Sequence, residues 1–134
     1  MNTHEIQELV RSHAKWLDTG GRAGQQFIAK GLVFEGRNLS GINFSECALA
    51  EVDFSGCDLT DSVFVKAHIV DCQFRGARLS GVNFLKATLD GSDLRGALLA
   101  RANFQKASVI DVDLRGIDVS ALNIDPIRLE ACIT

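Results

Sequence analysis

Residues 82–116 read VNFLK ATLDG SDLRG ALLAR ANFQK ASVID VDLRG, and this stretch decides the fold. In each group of five, the third residue is Phe, Leu or Val, and the first is small or apolar. The pattern extends in both directions, from Phe34 to Ile124, and all nineteen third positions are Phe or aliphatic. A period of five fits neither a 3.6-residue helix nor a straight strand. It predicts short extended segments separated by corners.

The small and large residues of each unit are two positions apart, so they share one side of an extended segment. The residue between them is Asn or Asp in ten of nineteen units, and it faces the other way. The large residues are therefore the predicted core. Its principal members are Phe34, Leu39, Phe44, Phe54, Leu59, Phe64, Phe74, Leu79, Phe84, Leu99 and Phe104.

A second period of twenty residues is superimposed on the first. Phe recurs at 34, 54 and 74, and again at 44, 64, 84 and 104. The intervening large positions are Leu, Ile or Val, so a four-sided coil of twenty residues explains both periods. One corner of this coil is Gly throughout, which indicates a turn that needs positive φ: Gly36, Gly56, Gly76, Gly96 and Gly116.

Units such as Ala102–Lys106 and Ser92–Gly96 resemble the consensus of the pentapeptide-repeat family, Ala-Asp/Asn-Leu-x-x. The resemblance covers residues 32–126. It implies an all-β solenoid, a right-handed quadrilateral β-helix, for which the repeat number predicts about five coils. It indicates little about function, because the residues of the motif are structural.

The two ends of a solenoid need caps. Residues 1–31 are predicted to form an N-terminal capping helix and strap, with one apolar stripe made of Ile6, Leu9, Val10, His13 and Leu17. Arg37 points inward by register in the first coil, and we expect it to turn toward the cap, where Glu5, Glu8 or Asp18 could pair with it. Residues 127–134 form the C-terminal end, either a cap or a final partial coil.

Composition narrows the class of protein. The chain carries 17 acidic and 14 basic residues, a net charge of −3, which disfavours direct nucleic-acid binding. No stretch has the apolar length of a membrane span or a signal peptide, so we expect no membrane association and a cytoplasmic location. The four cysteines would then be reduced thiols.

No side-chain cluster indicates chemistry. Cys47, Cys57 and Cys72 take the small inward position on three different walls, so they are expected to be buried apolar residues and not metal ligands. His68 lies outward in a column with Thr88 and Ser108, but no activating geometry is indicated. We therefore predict no catalytic, cofactor or metal site, and no enzyme activity.

The outer surface offers one candidate interface. The wall that includes Val63, Val65 and Leu85 carries outward aliphatic residues where the motif prefers polar ones, beside a ladder of lysines. An exposed apolar patch often marks a binding site, although single surface hydrophobes are also common. The candidate protein interface comprises Val63, Val65, Lys66, Val70, Leu85, Lys86 and Lys106. The ladder of Arg75, Arg95 and Arg115 is instead expected to be neutralised by neighbouring Asp residues.

The sequence and the resemblance to the family favour two alternative functions. The first is a rigid protein-interaction or scaffold module that binds a protein partner or a second copy. The alternative is a DNA mimic, since some pentapeptide-repeat proteins resemble duplex DNA and protect DNA gyrase or topoisomerase from inhibitors. An acidic corner at Glu51, Asp71 and Asp111 favours this alternative. The modest acidity argues against it, because residues 32–126 carry 13 acidic and 9 basic groups.

Overall fold

The structure is a computed structural model that describes all 134 residues. Helix α1 spans Thr3–Asp18, and three short strands follow: β1 (Ile28–Lys30), β2 (Ala48–Ala50) and β3 (His68–Val70). A 3₁₀ turn over Val119–Ala121 and helix α2 (Pro126–Leu129) complete the regular elements. Most of the chain therefore lies outside conventional helices and strands, yet it is highly regular.

The regularity is a parallel pairing of each residue with the residue twenty positions later. The three strands form one parallel sheet in the order β1-β2-β3, with Ile28 opposite Ala48 and Ala48 opposite His68. Isolated bridges continue the same register elsewhere, for example from Asn83 to Asn103. The chain is therefore a solenoid, in which each twenty-residue coil stacks on the previous one at a strand spacing of about 4.8 Å.

The interior is filled by the third residue of each five-residue unit. Rings stack in two columns, with centroids 4.9 Å apart for Phe34 and Phe54 and 5.4 Å apart for Phe64 and Phe84. Edge-to-face contacts join the columns, as between Phe54 and Phe64 at 6.2 Å. Every residue of the expected core is buried, and Leu99, at 8% exposed, is the least covered.

The outward Asn and Asp residues have a local structural role. Their side-chain oxygen accepts a hydrogen bond from the backbone N–H two residues later, at 2.8 Å for Asp53 and Ser55 and 3.0 Å for Asn83 and Leu85. This Asx arrangement bends the chain into the corner that follows. Asn and Asp are frequent at this position because their short side chains close the turn.

Every residue with positive φ between positions 31 and 116 occupies a corner, and many of them are not Gly. In the column of Gly corners, φ is lowest at Gly76, +66°, and highest at Gly116, +83°. Equivalent corners elsewhere hold Lys66 at +58° and Arg101 at +61°. The left-handed conformation is thus a property of the coil, and Gly only makes it less costly.

Helix α1 packs across the first coil and is held there by polar contacts as well as apolar ones. The side chain of Asn2 caps the helix by accepting from the Glu5 N–H at 2.8 Å. Ile6 and His13 are the buried residues of its inner face. The His13 Nδ1 accepts from the Phe27 N–H at 2.9 Å, so its Nε2 carries the proton and donates to the Ser45 carbonyl oxygen at 2.8 Å.

The link from α1 to the solenoid is tighter than the expected strap. Gly24 lies against α1 with φ +70°, and a Cβ there would fall 2.2 Å from the Ser12 carbonyl oxygen. Strand β1 then pairs with β2, so residues 28–30 belong to the first coil although the sequence places them in the strap. The apolar register that starts at Phe34 does not reveal them, because Ile28 points outward.

The C-terminal end keeps the twenty-residue register through a change of local structure. Asp125 caps helix α2 by accepting from the Ile127 N–H at 2.9 Å, and Pro126 takes the first helical position. The chain then returns to the register, and Ile133 pairs with Asp113. Helix α2 thus replaces one extended segment of a final turn, and Ile127 becomes 77% exposed.

Candidate functional site

The lysine edge, which we define as Lys66, Lys86 and Lys106, is a column of exposed corner residues. The Lys66 N–H donates to the Leu85 carbonyl oxygen at 2.9 Å, and the Lys86 N–H donates to that of Gln105 at 3.0 Å. The backbone thus fixes the spacing of the column. No lysine of the edge lies within 4.0 Å of a carboxylate, so three positive charges are available to a partner.

The aliphatic residues beside the lysine edge are less exposed than the sequence suggests. Val63, Val65 and Leu85 are half-buried and do not form an open apolar patch. Val63 is bridged on both sides, to Asn43 and Asn83, and stacked neighbours of this kind cover one another's side chains. Outward register alone therefore does not imply exposure in a solenoid, where each residue has a neighbour above and below.

The sheet face, defined as the outward side chains of β1, β2 and β3, holds a more exposed apolar surface. Ile28 is 68% exposed and Val70 is 39% exposed, the half-buried Ala48 and Ala50 lie between them, and the exposed Lys30 and His68 are the polar members of the face. Val70 belongs to the interface expected from the sequence, but Ile28 and the two alanines do not. The signal for them is two apolar pairs at outward positions one coil apart, Ile28 with Ala48 and Ala50 with Val70, which become visible only when the pairing is known.

The two corner columns beside the sheet face differ in charge only at β3. Lys66 precedes β3, but Glu46 occupies the same column before β2, and an acidic edge follows the strands. Glu51, Asp71 and Asp111, the acidic corner expected from the sequence, are exposed there. Asp90, one coil after Val70, is instead engaged locally, because its Oδ1 accepts from the Ser108 hydroxyl at 2.7 Å.

The arginine ladder is largely paired within the protein, where three arginines share the carboxylates of Asp93 and Asp113. Arg95 Nη2 lies 2.8 Å from the Asp93 carboxylate, and its Nε lies 3.3 Å from that of Asp113. Arg115 Nη2 contacts Asp113 at 2.7 Å, and this hydrogen bond lowers the pKa of Asp113 to about 2. The side-chain hydrogen bond from Arg95 likewise lowers the pKa of Asp93. This surface presents paired charges, unlike the lysine edge.

The thiols and imidazoles do not converge. Cys47, Cys57 and Cys72 are free and buried, and Cys132 is free and half-buried. Burial raises the pKa of Cys72 and of Cys132 to about 11, so both thiols are protonated at neutral pH. No group of three His, Cys, Asp or Glu side chains could hold a metal ion. Neither helix has the length and apolar character needed to cross a membrane.

Comparison with known proteins gives the family. A model described as "Pentapeptide repeat region" matches residues 25–84, and a model described as "Pentapeptide repeats (8 copies)" matches residues 83–120. Together the two models span the solenoid from before β1 to the 3₁₀ turn. No match was found among curated proteins.

One solved structure has the same fold, and others are similar to this chain at lower scores. The pentapeptide repeat protein Rfr23 from the cyanobacterium Cyanothece 51142 is 19% identical with a TM-score of 0.59, over 79% of this chain and 59% of Rfr23. HetL, a pentapeptide repeat protein involved in heterocyst differentiation regulation from Nostoc sp. strain PCC 7120, is 26% identical with a TM-score of 0.44, over 63% of this chain and 41% of HetL.

A third similar structure is QnrB1, a plasmid-mediated fluoroquinolone resistance protein. It is 15% identical with a TM-score of 0.33, over 81% of this chain and 77% of the QnrB1 chain. This chain spans about three fifths of the length of Rfr23 and two fifths of that of HetL. The resemblance seen in the repeat is therefore confirmed by sequence models and by structure: the chain belongs to the pentapeptide-repeat family.

Proposed function

We propose that this chain is a non-catalytic protein-interaction or scaffold module, and that its binding surface is the sheet face with the lysine edge as its rim. The observation that carries the proposal is the apolar diagonal from Ile28, 68% exposed, across the half-buried Ala48 and Ala50 to Val70, 39% exposed, which Lys30 and His68 flank on the same face. Apolar surface of this kind, bordered by charge, is typical of protein interfaces.

The chemistry of the surface fits a protein partner or a second copy. The strip has small side chains at its centre, Ala48 and Ala50, so a partner could approach the backbone closely there. Lys66 beside β3, continued in later coils by Lys86 and Lys106, would attract an acidic rim and speed encounter. Val63, Val65 and Leu85 extend the proposed interface around the lysine edge, with a smaller contribution because they are half-buried.

The rigidity of the solenoid favours binding. Parallel bridges fix the outward residues of successive coils relative to one another. A surface that is already ordered loses little conformational entropy when a partner binds. A scaffold of this kind needs neither a conformational change nor a reactive side chain to bind its partner.

Finer features of the architecture belong to the same proposal. Four inward columns that repeat every twenty residues support a four-sided, quadrilateral coil, and we take its hand as right and its length as about five coils. Residues 1–31 and 127–134 are proposed as the two ends, and strand β1 at the end of the first pairs with the regular coils that lie between them. Free thiols support a reducing, cytoplasmic location.

The alternative function is a DNA mimic that binds gyrase or topoisomerase. Exposed Glu51, Asp71 and Asp111 favour it, because they form a column of unpaired acids. The lysine edge opposes it, because a duplex presents negative charge on every side. Gyrase supercoiling with a quinolone, with and without the protein, separates the two functions, since a scaffold leaves inhibition unchanged.

The test of the main proposal is Ile28→Asp combined with Val70→Asp, with Leu98→Asp as the matched control. All three residues are exposed aliphatics, and Leu98, at 57%, lies on a different column. A surface change costs the monomer little, but at an interface each Asp would become a buried, unpaired charge.

The readouts are sedimentation and recovery of partners from the native lysate. We expect the wild type and Leu98→Asp to recover the same partner or to self-associate, and the double variant to lose that association. The proposal fails if the double variant behaves like the wild type, or if Leu98→Asp loses the association equally.

A further inference from the structure

Strand β1 lies at the edge of the three-stranded sheet, and one of its sides has no partner strand. On the other side it bonds to β2, where the Ala48 N–H donates to the Phe27 carbonyl oxygen at 3.0 Å. Backbone groups of successive residues in a strand point to opposite sides. The N–H and C=O groups of Ile28 and Lys30 therefore point away from β2, and no hydrogen bond within the protein uses them.

Helix α1 does not cover the end of the solenoid completely beside this free edge. The inward residues that follow Ala29 in the next coils, Leu49 and Ile69, are buried, whereas Ala29 itself is half-buried. In the same way Leu32 is half-buried, and Val52 in the next coil is fully buried. One more strand below β1 would cover these partly exposed side chains.

A groove of about 530 Å³ separates α1 from the free edge of β1. The exposed Ile28 lines it on one side and the half-buried Leu9 on the other. Its only charged side chains are Glu5 and Glu8, both exposed. The groove thus combines unused backbone groups and apolar surface with negative charge.

The acids of this groove do not pair with Arg37, although the sequence predicts such a pair for Glu5, Glu8 or Asp18. The Arg37 Nη2 donates instead to the Met1 carbonyl oxygen, and Glu8 pairs with Arg11 on the surface of α1. No cationic side chain lies within 4.0 Å of the Glu5 carboxylate. Glu5 is therefore available to a basic side chain of a partner.

We propose that this groove binds an extended, basic segment of a partner protein, which adds to β1 as a parallel fourth strand. The proposal rests on the proposed function as an interaction module and specifies how one partner is held. An added strand in the register of the existing pairs would use all four free groups. One inward residue would donate to the Ile28 carbonyl and accept from the Lys30 N–H. The residue two before it would accept from the Ile28 N–H, and the residue two after it would donate to the Lys30 carbonyl.

A second copy of this chain fits the edge less well than such a segment. It would bring its own α1 alongside its own β1, and with that helix the same two acids, Glu5 and Glu8. Lys30, exposed on the edge, is also the kind of residue that discourages pairing between edges. A basic peptide has no helix in the way and matches the charge of the groove.

The experiment uses the full chain and the peptide acetyl-Lys-Gly-Thr-Val-Thr-Lys-amide, with valine at the inward position. Two isomeric controls carry one N-methyl group, on the valine or on the threonine that follows it. Methylation of the valine removes the N–H that would donate to Ile28, and calorimetry should show affinity lower by about tenfold or more. The threonine N–H would face away from β1, so its methylation should leave the affinity nearly unchanged.

Amide hydrogen exchange locates the bound peptide. Exchange at Ile28 and Lys30 should slow by about tenfold or more with saturating peptide, because both amides gain an acceptor. Gly31 is the internal control, since its N–H already donates to the Ala50 carbonyl oxygen at 3.0 Å.

Protein variants separate the charge of the groove from the sheet face. Glu5→Gln should weaken peptide binding by about threefold and reduce its salt dependence. Glu130→Gln, an exposed acid at the other end of the solenoid, is the matched control and should have no effect. Val70→Asp alters the sheet face outside the groove, so it should leave peptide binding intact even where it abolishes association through that face. Failure of one site is thereby distinguished from failure of the other.

Four results would overturn the proposal. The first is no binding of the peptide, and the second is equal affinity for the two methylated peptides. The third is loss of binding on methylation of the threonine and not of the valine, which indicates an antiparallel strand. The fourth is a wild type that sediments as a dimer with Ile28 and Lys30 already protected, which assigns the edge to a second copy.

Discussion

The interior of the solenoid and the junction between α1 and the first coil are stabilised in different ways. In the interior, similar apolar contacts recur from coil to coil, as in the Phe columns that run from Phe34 to Phe74 and from Phe44 to Phe104. At the junction, each contact occurs once: His13 joins α1 to Phe27 and Ser45, and Gly24 lets the linker approach the helix.

The interior and the junction should respond differently to mutation and to pH. Interior contacts are apolar and insensitive to pH, and loss of one side chain leaves a void between rings that cannot move closer. The junction depends on a hydrogen-bonded imidazole, so its strength changes with protonation. Perturbations of the two regions should therefore differ in size and in their dependence on conditions.

The largest effect is expected in the interior, for Phe64→Ala. Phe64 is fully buried, stacked between Phe44 and Phe84, and touched at its edge by Phe54. The change should lower the free energy of unfolding by about 3–5 kcal/mol, measured by chemical denaturation. Ser80→Ala on the outer surface is the control and should change it by less than about 0.5 kcal/mol. Equal shifts for the two variants would contradict the inward register.

A smaller effect is expected at the junction, for His13→Gln. Loss of the imidazole leaves the Phe27 N–H and the Ser45 carbonyl imperfectly paired, which costs about 1–3 kcal/mol. The thermal midpoint at pH 7 measures this loss. Phe64→Ala and His13→Gln should have additive effects, because the two residues share no partner.

The junction should also respond to pH. Burial lowers the pKa of His13, and the Ser45 carbonyl and Glu46 offset this only in part. The unfolded chain therefore takes up the proton first, and stability should fall as pH drops below about 6.5, the value of an unperturbed His. The lowered pKa values of Asp93 and Asp113 also make stability fall with falling pH, but only below about 4, the value of an unperturbed Asp.

Thermal melts of the wild type and His13→Gln between pH 7 and pH 5 isolate this effect. The wild type should lose stability across that window, and His13→Gln should lose less. A wild-type midpoint that stays constant, or a variant with the same slope, would show that His13 does not control the junction.

The smallest effect is expected at a corner, for Arg101→Gly. Arg101 adopts φ +61° at an exposed corner where Gly81, one coil earlier, adopts φ +71°. Gly relieves the left-handed strain but loses more backbone entropy on folding, so a gain of up to about 1 kcal/mol is expected. Gly41→Ala is the reciprocal control, because a Cβ there meets nothing within 4 Å and only the backbone strain acts. A loss of stability in Arg101→Gly would mean that its side chain has a role.

The comparison also explains what sequence alone could predict. The interior follows from two periods, and every core residue from Phe34 to Phe104 lies where its register requires. A contact that occurs only once produces no repeating pattern in the sequence. The hydrogen-bond partner of Arg37 and the role of His13 at the junction could therefore not be predicted. The half-burial of Val63 and the place of Ile28 in β1 depend on neighbours one coil away, which a linear reading does not reveal.

The twenty-residue register also sets a unit of length. Because each residue pairs with its equivalent in the next coil, removal of residues 74–93 would join Gln73 to Leu94 and leave every inward column in phase. Such a molecule would be shorter by one coil, about 4.8 Å, and its two ends would face the same directions as before. The protein is in this sense a ruler, whose charged edges can change length only in whole steps.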